Sequence, residues 1–227
     1  MNHPDLAARL AEVTGRIEAA ARRGGFGQQV TIVAVTKTHG PEAVTAAYDA
    51  GLRNIGENKV QEALAKMKSV DVPVRWHLIG HLQRNKVNAL EHFALLHALD
   101  SARLADAVNK FALESKRAVD ALLEVNLSGE GTKGGFRESE IRAEAERLTG
   151  LPGIRLRGVM TMASFTAGEA ELHRNFGAAR AARDVLREAG HPADELSMGM
   201  SNDYEIAVEE GATIVRLGTI LFGAREQ

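Results

Sequence analysis

Val30-Thr31-Ile32-Val33-Ala34-Val35-Thr36-Lys37 is an apolar, largely β-branched run that ends on a primary amine. It reads as a strand, and because strand side chains alternate, Val33, Val35 and Lys37 fall on one face. A lysine at a strand end admits two readings. Its stem can lie along apolar surface with the ammonium in water, or a desolvated amine can lose its proton and act as a nucleophile toward a carbonyl compound. What the other strands bring decides between them.

Upstream, Leu6, Leu10, Val13 and Ile17 recur at helical spacing among charges over residues 5–23, and Gly24-Gly25 ends the run. Downstream, a rhythm sets in. Strands are predicted at 52–56, 74–80, 93–99, 119–127, 154–162, 195–198 and 213–217, and helices at 41–51, 59–69, 83–90, 102–114, 138–148, 169–189, 203–210 and 220–225. With the opening run this makes eight strands alternating with helices. The pattern predicts a closed parallel (β/α)8 barrel of the TIM type with an extra N-terminal helix; an open doubly wound sheet, which needs fewer strands, is the alternative. No Pro/Gly/Ser-rich linker interrupts the alternation, so a single domain over residues 1–227 is expected.

The composition suits that size. The 227 residues are 44% hydrophobic and 26% charged with a formal net charge of -2, and acids and bases are interspersed. There is no basic patch for nucleic acid or anionic membrane, which leaves a small molecule as the expected partner. The absence of cysteine excludes disulfides, thiolate metal sites and cysteine nucleophiles and fits a reducing compartment. No apolar run approaches the roughly 18 residues of a membrane span, and no signal-peptide pattern opens the chain, so a cytoplasmic protein is expected.

In such a barrel the active face lies at the carboxyl ends of the strands, with phosphate often held by the loops after the seventh and eighth. After the predicted seventh strand the chain reads Ser197-Met198-Gly199-Met200-Ser201-Asn202-Asp203, and along the eighth it reads Arg216-Leu217-Gly218-Thr219-Ile220. Each joins a glycine to a hydroxyl at a strand-to-helix turn. Glycines let backbone N–H groups approach an anion, and Ser201 and Thr219 add hydroxyl donors. Either turn alone reads equally as a helix cap; placed together they favour a phosphate cup.

Arg216 lies between Val215 and Leu217 and is costly to bury alone, so it is expected either in a structural salt bridge or as a donor to a ligand heteroatom inside the barrel. His77, Ile79 and His81 share a face of the third strand; His77 reads as a satisfied core group, while His81, nearer the mouth, is open to function. Asn58 and Asn126 sit at strand ends, where ligand-orienting donors belong and where turn residues belong as well. Gly129-Glu130-Gly131-Thr132-Lys133-Gly134-Gly135 reads as a lid or as an inert surface loop. No His/Asp/Glu cluster has convincing metal-ligand spacing, and Ser101 and Ser128 lack an evident base for triad chemistry.

Taken in order, Val35-Thr36-Lys37, Gly56-Glu57-Asn58, Trp76-His77-Leu78-Ile79-Gly80-His81-Leu82-Gln83 with Asn85-Lys86, Gly158-Val159-Met160-Thr161-Met162, Ser197-Met198-Gly199-Met200-Ser201 with Asp203, and Val215-Arg216-Leu217-Gly218-Thr219 resemble the pyridoxal phosphate homeostasis protein family. The barrel of that family is similar to the N-terminal domain of alanine racemase. The resemblance spans nearly the whole chain. It implies that Lys37 holds pyridoxal 5′-phosphate (PLP) as a reversible Schiff base, that Ser201, Gly218 and Thr219 bind its phosphate, and that Arg216 faces its pyridine nitrogen. Asn58, His81 and Met200 complete the expected cofactor-binding set.

An arginine keeps its proton, so a ring nitrogen facing it stays unprotonated and the cofactor is a weak electron sink. That suits a holder of PLP that supplies it to other enzymes, expected to be a monomer, better than a catalyst. The alternatives are a PLP-dependent racemase and a cofactor-free Schiff-base aldolase. Racemases of the similar fold draw a tyrosine base from a second domain; here the sequence ends at Gln227, close after the eighth strand, and only Tyr48 and Tyr204 are at hand. No second domain is therefore expected.

Overall fold

In the computed structural model, which describes residues 3–127 and 134–223, the opening run forms strand β1 (Thr31–Val35). Seven further strands follow: β2 (Asn54–Glu57), β3 (Arg75–Leu78), β4 (Leu95–Leu99), β5 (Val119–Asn126), β6 (Ile154–Met160), β7 (Glu195–Ser197) and β8 (Ile214–Leu217). Each pairs in parallel with the next. β8 then returns to β1, with Val33 opposite Arg216, and the ring closes. Closure leaves no sheet edge and excludes the open-sheet alternative. A two-residue strand, Phe136–Arg137, adds to β5 outside the ring.

The helices are α1 (Leu6–Gly24), α2 (Pro41–Asp49), α3 (Val60–Met67), α4 (Ala102–Glu114), α5 (Ile141–Thr149), α6 (Glu169–Glu188), α7 (Tyr204–Glu209) and α8 (Thr219–Phe222). Between β3 and β4 the predicted α-helix is instead a 3-10 helix, Arg84–His92. Nine residues rise about 18 Å in that form against about 14 Å as an α-helix, so the tighter coil stretches a short crossover between neighbouring strands. The extra helix α1 buries Leu6, Val13, Ile17 and Ala20. It packs on α7, where Arg16 pairs with Glu205 and Arg23 donates to Glu209 at 2.6 Å. The predicted tail helix at 220–225 is the single turn α8, and residues 224–227 lie outside the described residues.

Apolar burial divides into two bodies. The larger lies between strands and helices; the smaller, Val33, Leu95, Ala98, Leu122, Met160 and Ile214 with Ile79, plugs the barrel interior. Near that plug β6 carries an irregularity, since Ala121 pairs with Leu156 but Leu122 with Gly158. Gly158 has φ 153°, and a Cβ there would stand 1.8 Å from the Glu195 carbonyl oxygen, so glycine is what lets β6 and β7 pair.

Candidate functional site

β1 delivers Lys37 to the carboxyl end of the barrel. Val33 belongs to the interior plug and Val35 lines a cavity of about 830 Å³ above it, so strand alternation carries Lys37 into the same cavity. Thr36 points the other way. Its Oγ1 donates to Glu57 Oε1 at 2.6 Å, and Lys66 Nζ, reaching in from α3, donates to that same oxygen at 2.5 Å and to the Thr36 carbonyl at 2.6 Å. The next residue, Thr38, has φ 69°, a left-handed conformation unusual for a β-branched side chain. Lys37 thus stands between a clamped residue and a strained one. Its ammonium makes no ion pair or hydrogen bond among the described residues.

The two turns after β7 and β8 meet beside it. Ile220 N–H donates to Ser201 Oγ at 3.3 Å, which ties them together and leaves the Ser201 proton free to be donated. Gly199, at φ 91°, lets its turn fold under α7, where a Cβ would come within 2.7 Å of Ala207. Asp203 Oδ1 accepts from Met200 N–H at 2.6 Å, and burial pushes the Asp203 carboxyl up from its ordinary value. Met200, Ser201, Gly218 and Thr219 all line the cavity.

Arg216 forms part of the cavity floor and is only 4% exposed. Of the two expectations for it, the salt bridge is not seen: among the described residues no carboxylate lies within pairing distance. Neutral acceptors hold it instead. Nη1 donates to the Ser197 carbonyl at 2.7 Å and to Ser197 Oγ at 2.6 Å, and Nη2 donates to the Thr161 carbonyl at 2.9 Å. Three of its five N–H donors are thereby used, which leaves two. Burial pulls the guanidinium down to about 10, opposed by Asp203 and Glu124, so it stays a cation at neutral pH.

Asn58 and His81 line the cavity too, after β2 and β3. The ends of β2 and β3 approach so closely there that a Cβ on Gly80 would lie 2.5 Å from the Asn58 carbonyl oxygen. His81 Nδ1 is held by Asp100 Oδ2 at 2.5 Å. The structure thus brings all eight expected site residues, Lys37, Asn58, His81, Met200, Ser201, Arg216, Gly218 and Thr219, to one cavity. Asn126, at the end of β5, is not among its lining residues, and His77 is hydrogen-bonded in the core at 4% exposure. Residues 128–133, most of the glycine-rich loop read as a lid or a surface loop, lie outside the described residues; Gly134 lines the cavity.

Two acids of the cavity escape the sequence reading: Asp100 after β4 and Glu124 on β5. Burial, with the neighbouring Asp100 carboxylate adding to it, pushes the Glu124 carboxyl up to about 7. The signal was present, because Glu124 interrupts the apolar run Ala121-Leu122-Leu123 and Val125 much as Arg216 interrupts β8. Phe165, 88% exposed, lies at the rim.

Comparison with known proteins gives this geometry a family. The family model described as alanine racemase, N-terminal domain, matches residues 9–226. The pyridoxal phosphate homeostasis protein of Aquifex aeolicus is 41% identical over 222 residues, covering 96% of this chain and 97% of the relative. The chain belongs to the pyridoxal phosphate homeostasis protein family. A second member, from Pseudomonas aeruginosa, is 41% identical over 224 residues, covering 97% of this chain and 96% of that member. Among solved structures, PipY of Synechococcus elongatus with PLP bound superposes at TM-score 0.85 with 37% identity over 96% of this chain and 100% of that one. Alanine racemase of Corynebacterium glutamicum, 16% identical at TM-score 0.75, shares the fold over 99% of this chain and 62% of its own.

Proposed function

We propose that the cavity binds pyridoxal 5′-phosphate, and that the chain, acting as one barrel domain, holds this cofactor and hands it to PLP-dependent apoenzymes as a monomer in the cytoplasm. The observation that carries the reading is a single cavity in which an amine with no partner among the described residues stands beside two joined glycine–hydroxyl turns, over an arginine held by neutral groups. The donor set fits the cofactor. Ser201, Gly218 and Thr219 would take the phosphate, with Met200 shaping that turn; Arg216 would offer its remaining N–H groups to the ring nitrogen; Asn58 and His81 would border the ring. PLP supplies an aldehyde that condenses reversibly with a primary amine.

The protein's own residues favour holding over turnover. Arg216 keeps its proton and so leaves a facing ring nitrogen unprotonated, which weakens the electron sink that amino-acid chemistry needs. Neither tyrosine lines the cavity: Tyr48 is on α2, and Tyr204 is buried at the start of α7. A racemase-type base is therefore missing from the tyrosines of this chain. Lys37 in turn is oriented by the Thr36–Glu57–Lys66 clamp, which fixes the backbone that carries it.

The test is the visible absorbance of the purified protein after incubation with PLP and gel filtration. The wild type is expected to retain a band that borohydride fixes to Lys37, and Lys37→Ala to lose it. A wild type that stays colourless sinks the cofactor assignment. Racemisation of a free amino acid at enzymatic rates, abolished by Lys37→Ala, overturns the carrier reading.

A further inference from the structure

Arg216 heads a line of polar groups that crosses the barrel interior. Ser197 Oγ, which accepts from Arg216 Nη1, lies 2.8 Å from His97 Nδ1; His97 Nε2 lies 3.0 Å from His77 Nδ1; His77 Nε2 lies 3.0 Å from Asn54 Oδ1 at the amino end of β2. His97 and Ser197 are fully buried, and His77 is 4% exposed. The line thus joins four strands, β2, β3, β4 and β7, to the arginine on β8.

Its polarity is determined from one end to the other. The Asn54 oxygen can only accept, so His77 Nε2 carries a proton. Burial depresses His77 to about 4 and His97 well below its ordinary value, so both rings are neutral and each has one N–H and one lone pair. His77 Nδ1 therefore accepts from His97 Nε2–H, and His97 Nδ1 accepts from the Ser197 hydroxyl. The reverse order would place two donors, His97 and Arg216, on Ser197 Oγ and leave its own proton with no acceptor among the described residues. In the surviving order every dipole turns its negative end toward the guanidinium, which offsets the desolvation of a cation that has no carboxylate partner among the described residues.

We propose that Ser197, His97 and His77 are positioning residues for Arg216: a one-way hydrogen-bond chain, anchored on Asn54, that keeps the guanidinium charged and aims its two remaining N–H groups at the cofactor ring. The inference rests on the reading of the cavity as a PLP site. Cutting the chain at His97 frees the Ser197 hydroxyl to turn, and Arg216 loses the side-chain acceptor that fixes its orientation while its bonds to the Ser197 and Thr161 carbonyls remain. Glutamine at 97 offers one acceptor and one donor at nearly the spacing of the two imidazole nitrogens, and so preserves the polarity.

The test has two arms. In the wild-type protein without added cofactor, long-range 1H–15N correlation spectra should show His77 and His97 as neutral Nε2–H tautomers at pH 7. A protonated or Nδ1–H ring at either position overturns the chain, whether or not the protein binds PLP. In the second arm, PLP affinity and absorbance maximum are measured for Ser197→Ala, His97→Leu, His97→Gln and His77→Leu. The expected loss is about tenfold in Kd, the size of one hydrogen bond, for Ser197→Ala and His97→Leu, with a shifted absorbance maximum. It should be smaller for His77→Leu and largely rescued in His97→Gln. A His97→Leu protein that melts earlier but binds PLP with wild-type affinity and spectrum overturns the proposal in favour of simple core packing. Should His97→Leu fail to fold, Ser197→Ala and His97→Gln carry the same comparison, and equal losses in those two overturn it.

Discussion

Replacing Lys66 by methionine removes the only cation among the described residues that reaches Glu57, a residue with no exposed surface. The methionine keeps the stem packed against the barrel, so the change is close to a pure loss of charge. Glu57 Oε1 retains one donor, Thr36 Oγ1, while Oε2 has no partner among the described residues even before the change. A buried carboxylate stripped of its cation costs about 3–5 kcal/mol. The double variant Lys66→Met/Glu57→Gln no longer buries a charge and loses chiefly the bond to the Thr36 carbonyl, about 1–2 kcal/mol. The second substitution should thus recover about 2–3 kcal/mol of what the first one loses. Urea unfolding followed by far-UV circular dichroism reads it out, with the midpoint falling and m unchanged. A Lys66→Met protein within 1 kcal/mol of the wild type, or a double variant as unstable as the single, refutes the view that this clamp matters to the strand end that carries Lys37.

Titration offers further checks. Glu124, raised to about 7 by burial, binds its proton more tightly folded than unfolded, so the stability it contributes is full at low pH and lost as pH rises from about 4.5 to 7. Urea midpoints should show Glu124→Gln level with the wild type near pH 4.5 and more stable than it at pH 8. His77, depressed to about 4, acts in the opposite sense: its contribution is present above 6.5 and declines as pH falls toward 4, and His77→Leu should reduce that slope while His97, depressed by the same burial, keeps the rest of it. Gly158→Ala sets a Cβ 1.8 Å from the Glu195 oxygen and should cost more than about 4 kcal/mol, measured as a collapsed midpoint or failure to fold. Thr38→Asn relieves the left-handed strain beside Lys37 and should raise Tm by about 2 °C in calorimetry, from about 0.5–1 kcal/mol.

Strand and helix order was legible because both depend on local pattern. Val33, Val35 and Lys37 share a face whatever surrounds them, and a glycine followed by a hydroxyl at a strand end marks a turn before any fold is known. The eight candidate site residues lie at or near the carboxyl ends of the strands, where a barrel would converge, and that much a local reading could reach. The departures have physical causes. The crossover after β3 became a 3-10 helix because it must span a distance that sequence periodicity does not encode. Asp100 and Glu124 lie on separate segments with no local pattern that joins them, and only closure of the ring sets them in one wall.

The arginine shows the same division. That Arg216 needs a partner follows from an apolar strand interrupted by a charge, and the sequence alone establishes it. That the partner is a chain of neutral groups and not a carboxylate could be decided only in three dimensions. Ser197, His97, His77 and Asn54 are up to 143 residues distant along the sequence, and their hydrogen-bonding roles exist only once the strands that carry them stand side by side around a closed ring. Period and propensity act between near neighbours in the chain; the pairing of buried polar groups depends on distances and desolvation that the assembled barrel alone supplies.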